Sequence, residues 1–359
     1  MLKNILINYI ILAALFIPSQ LPLFAQGIDT SGGINYKADP RVYTAIALWN
    51  AEGNNHEYRK SGMHPMRIEA RALLNRTITP ELRDRIEQLK KTDLNHYYKL
   101  GEFSLQTTGP PDFAKLNSSA DDKTDWINSI NKRAASILAE LYNNCGIKEL
   151  WEKQVSEIQK ENNKFSLYAR QTLENIISYC RLNHNYFKDN ICSINFQFVP
   201  LLSYYTAFII RTGNSLWVIV GPKESDTDRT ALYHELLHEV VNPISATLVD
   251  MLAPLKDLYL TTNHKTKTVY TSWRDYINEC FVRTLTVLIM KKYMPQNTYD
   301  AERAITNEYS LGFLFCPYLY REFQKQENSS LPIKTVFAEV IKALDVPGIK
   351  GDWEEKPQK

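Results

Sequence analysis

Apolar residues recur along this chain at two different spacings, and the change from one to the other marks its main division. From Asp39 to about His184 the spacing is helical. Asp39-Pro40 supplies a cap with a proline at the first helical position, Val42, Ala45, Ile46 and Trp49 follow at helix spacing, and Gly53 closes the helix. Further helices are expected to begin near Pro65, Glu81 and Leu94, Gly109-Pro110-Pro111 is a break, and two longer helical runs after Asp121 end near Cys145 and Cys180. The period then becomes two. Ile194, Phe196 and Phe198 alternate between Ser193 and Pro200, and the runs Tyr205 to Arg211 and Ser215 to Val220 are joined by Thr212-Gly213-Asn214, which has hairpin chemistry. Gly221-Pro222 ends the last strand, and Ser225 or Asp226 can cap the helix that follows. After a polar loop from Thr261 to Thr268, a helix from about Tyr270 to Lys292 is apolar nearly all round and is therefore expected to be buried. Two C-terminal helices near Ala301 to Tyr309 and Pro332 to Leu344 complete the pattern. It predicts an α+β fold, predominantly helical, with a small antiparallel sheet.

Composition narrows the setting. Lys3, an apolar run from Ile5 to Ile17, Pro18 and then Leu23-Phe24-Ala25 read as a signal peptide over residues 1–25. That run is well short of the roughly 20 residues a membrane span needs, so export to the periplasm or beyond is expected, without stable membrane insertion. No cysteine directly follows the expected cleavage point. Forty-two basic residues against 40 acidic ones, with no long block of either sign, argue against a nucleic-acid partner. Five cysteines do not make a disulfide scaffold; Cys180 and Cys192 flank a short polar turn and could pair, or both could remain free and buried.

The candidate chemistry is His234-Glu235-Leu236-Leu237-His238, in the helix after the sheet. Residues four apart on a helix differ by about 40° in azimuth and about 6 Å in rise, so two imidazoles can aim at one point. Zinc accepts such a pair, and the acid between them is placed to take a proton from water at the metal. The alternative is an amphipathic helix whose histidines pack or face solvent.

A catalytic zinc keeps three protein ligands and one open position. Glu239-Val240-Val241-Asn242-Pro243 follows the pentad, which excludes the metzincin pattern. Glu279, a carboxylate amid the apolar residues of a buried helix, needs a counter-charge or a metal. Arg283, four residues later, could satisfy it as an ordinary ion pair, and the two roles are compatible. His264, in the polar loop, is another possible ligand; Asp250 or Asp275 could orient a ligating histidine. Tyr309, Tyr318 and Tyr320 are candidates for oxyanion donor, against the blander expectation that each packs in the core.

The run from His234 to Pro243, with Glu279-Cys280-Phe281-Val282-Arg283 downstream, resembles an exported bacterial family of unknown function with a gluzincin-type site. The opening Asp39-Pro40-Arg41-Val42, with Glu57-Tyr58 after the first helix, is similar to that family's opening, although Tyr43 stands where the family has a glutamate. The resemblance implies a zincin-type active-site helix, the zinc ligands His234, His238 and Glu279, and Glu235 as general base. Thermolysin-like gluzincins carry an aspartate where Arg283 stands, so the surroundings of Glu279 must be built differently. The expected organisation is a signal peptide over 1–25, a helical region over 26–190, a gluzincin-like zinc-peptidase region over 191–345 and a disordered tail over 346–359. The expected function is that of an exported zinc metallohydrolase acting on peptides or proteins; the alternative is an inactive, peptidase-like binding or surface-interaction protein.

Overall fold

The computed structural model describes residues 33–57, 62–92, 94, 96–116, 125–223, 229–261, 270–294 and 299–349. The signal peptide, Tyr58, the helix start at Asp121, the cap at Ser225 or Asp226, His264 with the rest of the loop 262–269, and residues 350–359 of the tail lie outside them. Residues 346–349 form a helical turn. The described residues fall into two compact units, one within 22–168 and 188–228, the other within 169–187 and 229–359.

The first unit holds α1 (Pro40–Ala51), α2 (Pro65–Thr77), α3 (Pro80–Leu89), α4 (Tyr97–Leu105), α5 (Asp125–Asn144) and most of α6 (Ile147–Cys180). Three of these helices start by one local device, a polar cap followed by proline at the first position, where the missing N–H costs nothing. Asp39 accepts from the Arg41 N–H at 2.8 Å, His64 Nδ1 from that of Met66 at 3.3 Å, and Thr79 Oγ1 from that of Leu82 at 3.2 Å. The first helix is buried on every side from Val42 to Asn50, more fully than one apolar stripe requires. Arg67, fully buried, ties the segment after α1 in place: Nε donates to Asn50 Oδ1 at 2.9 Å, and Nη1 to Glu57 Oε2 and the His56 carbonyl, both at 3.0 Å. Glu57 also accepts from the Tyr204 N–H at 2.9 Å, so its place in the chain opening is structural.

The same unit carries the sheet, made of β1 (Ile34–Asn35), β2 (Ser193–Phe198), β3 (Ala207–Thr212) and β4 (Ser215–Val220) in the order β1-β2-β4-β3. All three expected strands are present, and β3 and β4 form the expected antiparallel hairpin, from Ala207 opposite Val220 to Thr212 opposite Ser215. Gly213 turns it with φ +58°, the left-handed region that glycine enters without strain. The sheet as a whole, however, is mixed where an antiparallel one was expected: β2 runs parallel to β4, and β1 parallel to β2. Alternation assigns side chains to faces but not strands to neighbours. Because β4 inserts between β2 and β3, the strand it meets on one side is two reversals away in the chain and points the same way. The β1 strand is only two residues long, too short to show a period. Phe208 and Ile210 on β3 meet α4 at Gly101, where a Cβ would stand 3.1 Å from Ile210 Cδ1.

The second unit contains the end of α6, the start of α7 (Tyr186–Asn190), and α8 (Thr230–Thr247), α9 (Val249–Thr261), α10 (Trp273–Tyr293), α11 (Ala301–Leu311), α12 (Cys316–Lys325) and α13 (Ile333–Ala343). Pro243 stands inside α8 and cannot donate to the carbonyl of Glu239. The Tyr186 hydroxyl donates to that oxygen instead, at 3.1 Å, and the helix continues. As expected, α10 is buried around its middle, with Tyr276, Ile277 and every residue from Glu279 to Met290 buried. Ser272 caps its start by accepting from the Asp275 N–H at 3.4 Å. Tyr276 fixes the turn after α11, donating to the Gly312 carbonyl at 2.7 Å and accepting from the Leu314 N–H at 2.8 Å. All five cysteines are free thiols; Cys180 is buried and Cys192 exposed. No helix among the described residues is long and apolar enough to cross a membrane.

Candidate metal centre

The pentad lies in the buried part of α8, where every residue from Leu232 to Val241 is shielded from solvent. A helix buried all round leaves its polar side chains only other buried groups as partners. One helical turn apart, His234 and His238 bring their Nε2 atoms to 3.2 Å. Glu279 reaches the same point from α10, with Oε1 3.4 Å from His234 Nε2 and Oε2 3.5 Å from His238 Nε2. These three residues form a buried group that could hold a metal ion.

The donor set fits such an ion. Ligand atoms at about 2.0–2.1 Å from a tetrahedral zinc lie roughly 3.3 Å from one another, close to the 3.2 Å between the two Nε2 atoms and the 3.5 Å from His238 Nε2 to Glu279 Oε2. Glu279 is fully buried, and its Oε2 has no hydrogen-bond partner among the described residues. A buried carboxylate oxygen left bare costs free energy, and a cation would satisfy it. Burial pushes His238 down to about 4 and holds His234 well below the usual imidazole range. Both rings are thus neutral near pH 7 and offer lone pairs, as metal ligation requires. Burial pushes the Glu279 carboxyl up, and the Arg283 guanidinium works against that shift.

Arg283 is the ion-pair partner anticipated for Glu279, and more. Its Nε donates to Glu279 Oε1 at 2.7 Å, while Nη1 donates to Glu308 Oε2 on α11, also at 2.7 Å. The guanidinium lies 3.8 Å from the centre of the Phe313 ring. Although burial opposes its charge, Glu308 and Glu279 hold it protonated. Tyr270, just before α10, hydrogen-bonds to Glu279, and burial raises its hydroxyl well above the usual phenol range.

Several expectations are revised in detail. Asp250 is exposed and Asp275 only half-buried; it is Asn242 whose Oδ1 stands 3.5 Å from His238 Nδ1. The i,i+4 spacing of His238 and Asn242 could have revealed that contact. The Tyr320 hydroxyl is engaged with Glu302 Oε1 at 3.0 Å and with Lys291 Nζ at 3.3 Å, and Tyr309 and Tyr318 are half-buried. Tyr270 and Glu308 carried no signal in the sequence: one lies at a loop end, the other on an ordinary amphipathic helix. Glu235 is buried beside His234 on α8. A cavity of about 240 Å³ lies in the first unit, lined by His64, Phe165, Phe198, Tyr204 and Lys223 among others. None of its lining residues belongs to the His–His–Glu group, and the Lys223 ammonium sits over the Phe165 ring at 4.7 Å.

A family model described as Domain of unknown function (DUF4932) matches residues 157–343, more than half of the chain. The match includes His234, His238 and Glu279, and it begins after the opening around Asp39. No curated protein matches the chain, and no solved structure does.

Proposed function

We propose that this chain, which belongs to the DUF4932 family, is an exported zinc metallohydrolase with a gluzincin-type site, acting on peptides or proteins. The observation that carries the reading is the buried convergence of His234, His238 and Glu279, with one carboxylate oxygen left bare. Two imidazoles and a carboxylate are a donor set suited to zinc, and the acid within the pentad is what hydrolysis requires in addition. When bound there, zinc would supply a Lewis acid and a site at which water loses a proton near neutral pH. The chain's own part is proton handling and positioning. Glu235 would accept the proton of the attacking water and return it to the leaving amine. Asn242, through His238 Nδ1, would orient that ring and keep Nε2 directed at the ion. The apolar run from Ile5 to Ile17, followed by Leu23-Phe24-Ala25, supports export.

Metal analysis of the purified protein tests the ligand set, with about one zinc per chain expected and loss on His234→Ala. Metal-free protein after preparation without chelators would sink the proposal. Glu235→Gln should keep the zinc and abolish cleavage of a peptide library.

One observation favours a second reading. His234, Glu235, His238 and Glu279 are all buried, the most exposed at 6 %. An ion so enclosed suits a binding or surface-interaction protein that holds metal without turnover. Zinc present at full occupancy, with no turnover by wild type, would favour this reading.

A further inference from the structure

We propose that Arg283 is a positioning residue that occupies Oε1 of Glu279 and thereby reserves Oε2 for the ion. The inference rests on the metal reading above and goes beyond it, to how many oxygens the carboxylate offers. A carboxylate facing two imidazoles can bind a cation through one oxygen or both, and the choice decides whether a further coordination position stays open. Here the two oxygens have been made unlike. Oε1 accepts a charged hydrogen bond from Arg283 Nε at 2.7 Å, which withdraws electron density from it, whereas Oε2 has no hydrogen-bond partner among the described residues.

Arg283 is itself held from three directions. Its Nη1 donates to Glu308 Oε2 at 2.7 Å, its Cζ lies 3.8 Å from the centre of the Phe313 ring, and its backbone sits one helical turn after Glu279 on α10. The fork therefore cannot swing toward Oε2 without giving up Glu308. Tyr270 adds a hydroxyl hydrogen-bonded to the same carboxylate. An ion pair that served only to neutralise Glu279 would have no need to discriminate between its oxygens. Guanidinium suits this role better than ammonium because its planar donors point in fixed directions and serve two acids at once.

The test uses cobalt(II), whose visible absorption is intense in four-coordinate sites and weak when coordination expands. Wild type is titrated with Co(II) beside Arg283→Lys and the charge-compensated Arg283→Met/Glu308→Gln, with circular dichroism to confirm folding. Wild type should bind one ion per chain with an intense band, and both variants should bind roughly tenfold or more weakly with a diminished band. Folded variants that match wild type in band intensity and affinity, whatever their melting temperatures, would overturn the proposal. Should the double variant not fold, Arg283→Lys decides on the same two readouts. Failure of wild type itself to bind Co(II) or zinc would instead overturn the metal reading, and this inference with it.

Discussion

Pro243 interrupts the backbone ladder of α8 only five residues after His238, yet the helix runs on to Thr247. The carbonyl of Glu239 loses its helical donor there, and the hydroxyl of Tyr186 takes the vacant role at 3.1 Å. Tyr186→Phe removes that donor and keeps the ring against Phe187. A neutral hydrogen bond of this kind contributes about 1 kcal/mol net, and a dry, unpaired carbonyl would cost up to about 3. Tyr186 is half-buried, so water can partly replace the lost hydroxyl, and about 1 kcal/mol of destabilisation is expected. The same substitution in a Pro243→Ala background should cost almost nothing, because the restored N–H at 243 supplies Glu239 from within the helix. Urea unfolding of the four proteins closes a double-mutant cycle with an expected coupling of about 1 kcal/mol. A coupling below about 0.3 kcal/mol, within the scatter of independent sites, would refute the claim that the tyrosine compensates for the proline.

Three further outcomes follow from the same structure. Burial pushes the Glu52 carboxyl up to about 7 against the opposing charge of Lys90, and Glu52 Oε1 has no hydrogen-bond partner among the described residues. A group that holds its proton more tightly when folded stabilises fully below the unfolded value, near 4.5, and that contribution is lost as pH rises through 7. Relative to wild type, Glu52→Gln should therefore gain about 2–3 kcal/mol between pH 4 and pH 8 in urea titrations, and parallel curves would count against it. Chelation tests the metal centre without any substitution: at an ion concentration 100 times its Kd the linkage is about 2.7 kcal/mol, so in a chain of this length EDTA should lower Tm by roughly 4 °C. His234→Ala should show no such shift, and an equal shift in both proteins would point to an ion elsewhere. Gly221→Ala would place a Cβ 2.6 Å from the Ser203 carbonyl oxygen, and a loss of at least about 2 kcal/mol in unfolding free energy is expected; a neutral result would mean that the loop yields there.

Much of this fold was legible one helical turn at a time. The capped start at Asp39-Pro40, the hairpin at Gly213 and the all-round apolar pattern of α10 are carried by residues a few positions apart, so spacing and residue type record them directly. The paired imidazoles belong to this class, since helix geometry alone brings positions 234 and 238 to one side of α8. Other features could not be read this way. Strand order depended on β4 entering between β2 and β3, which no alternation records. Whether Glu279 meets the histidines, Arg283 or both could not be read from spacing, because its approach to His234 and His238 depends on how α10 packs against α8.

By itself, then, the sequence determined a predominantly helical α+β chain, the starts of most of its helices though not of α7, α9 and α12, and two histidines converging with a buried acid in reach. Only the tertiary structure decided which acid meets them, that Arg283 takes Oε1 and leaves Oε2 bare, and that Tyr270, Glu308 and Phe313 surround the pair. The physical reason is range. Capping and periodicity act within a turn or two of chain, whereas the partner of a buried charge is chosen only when packed helices have excluded water and left that charge no other group to meet.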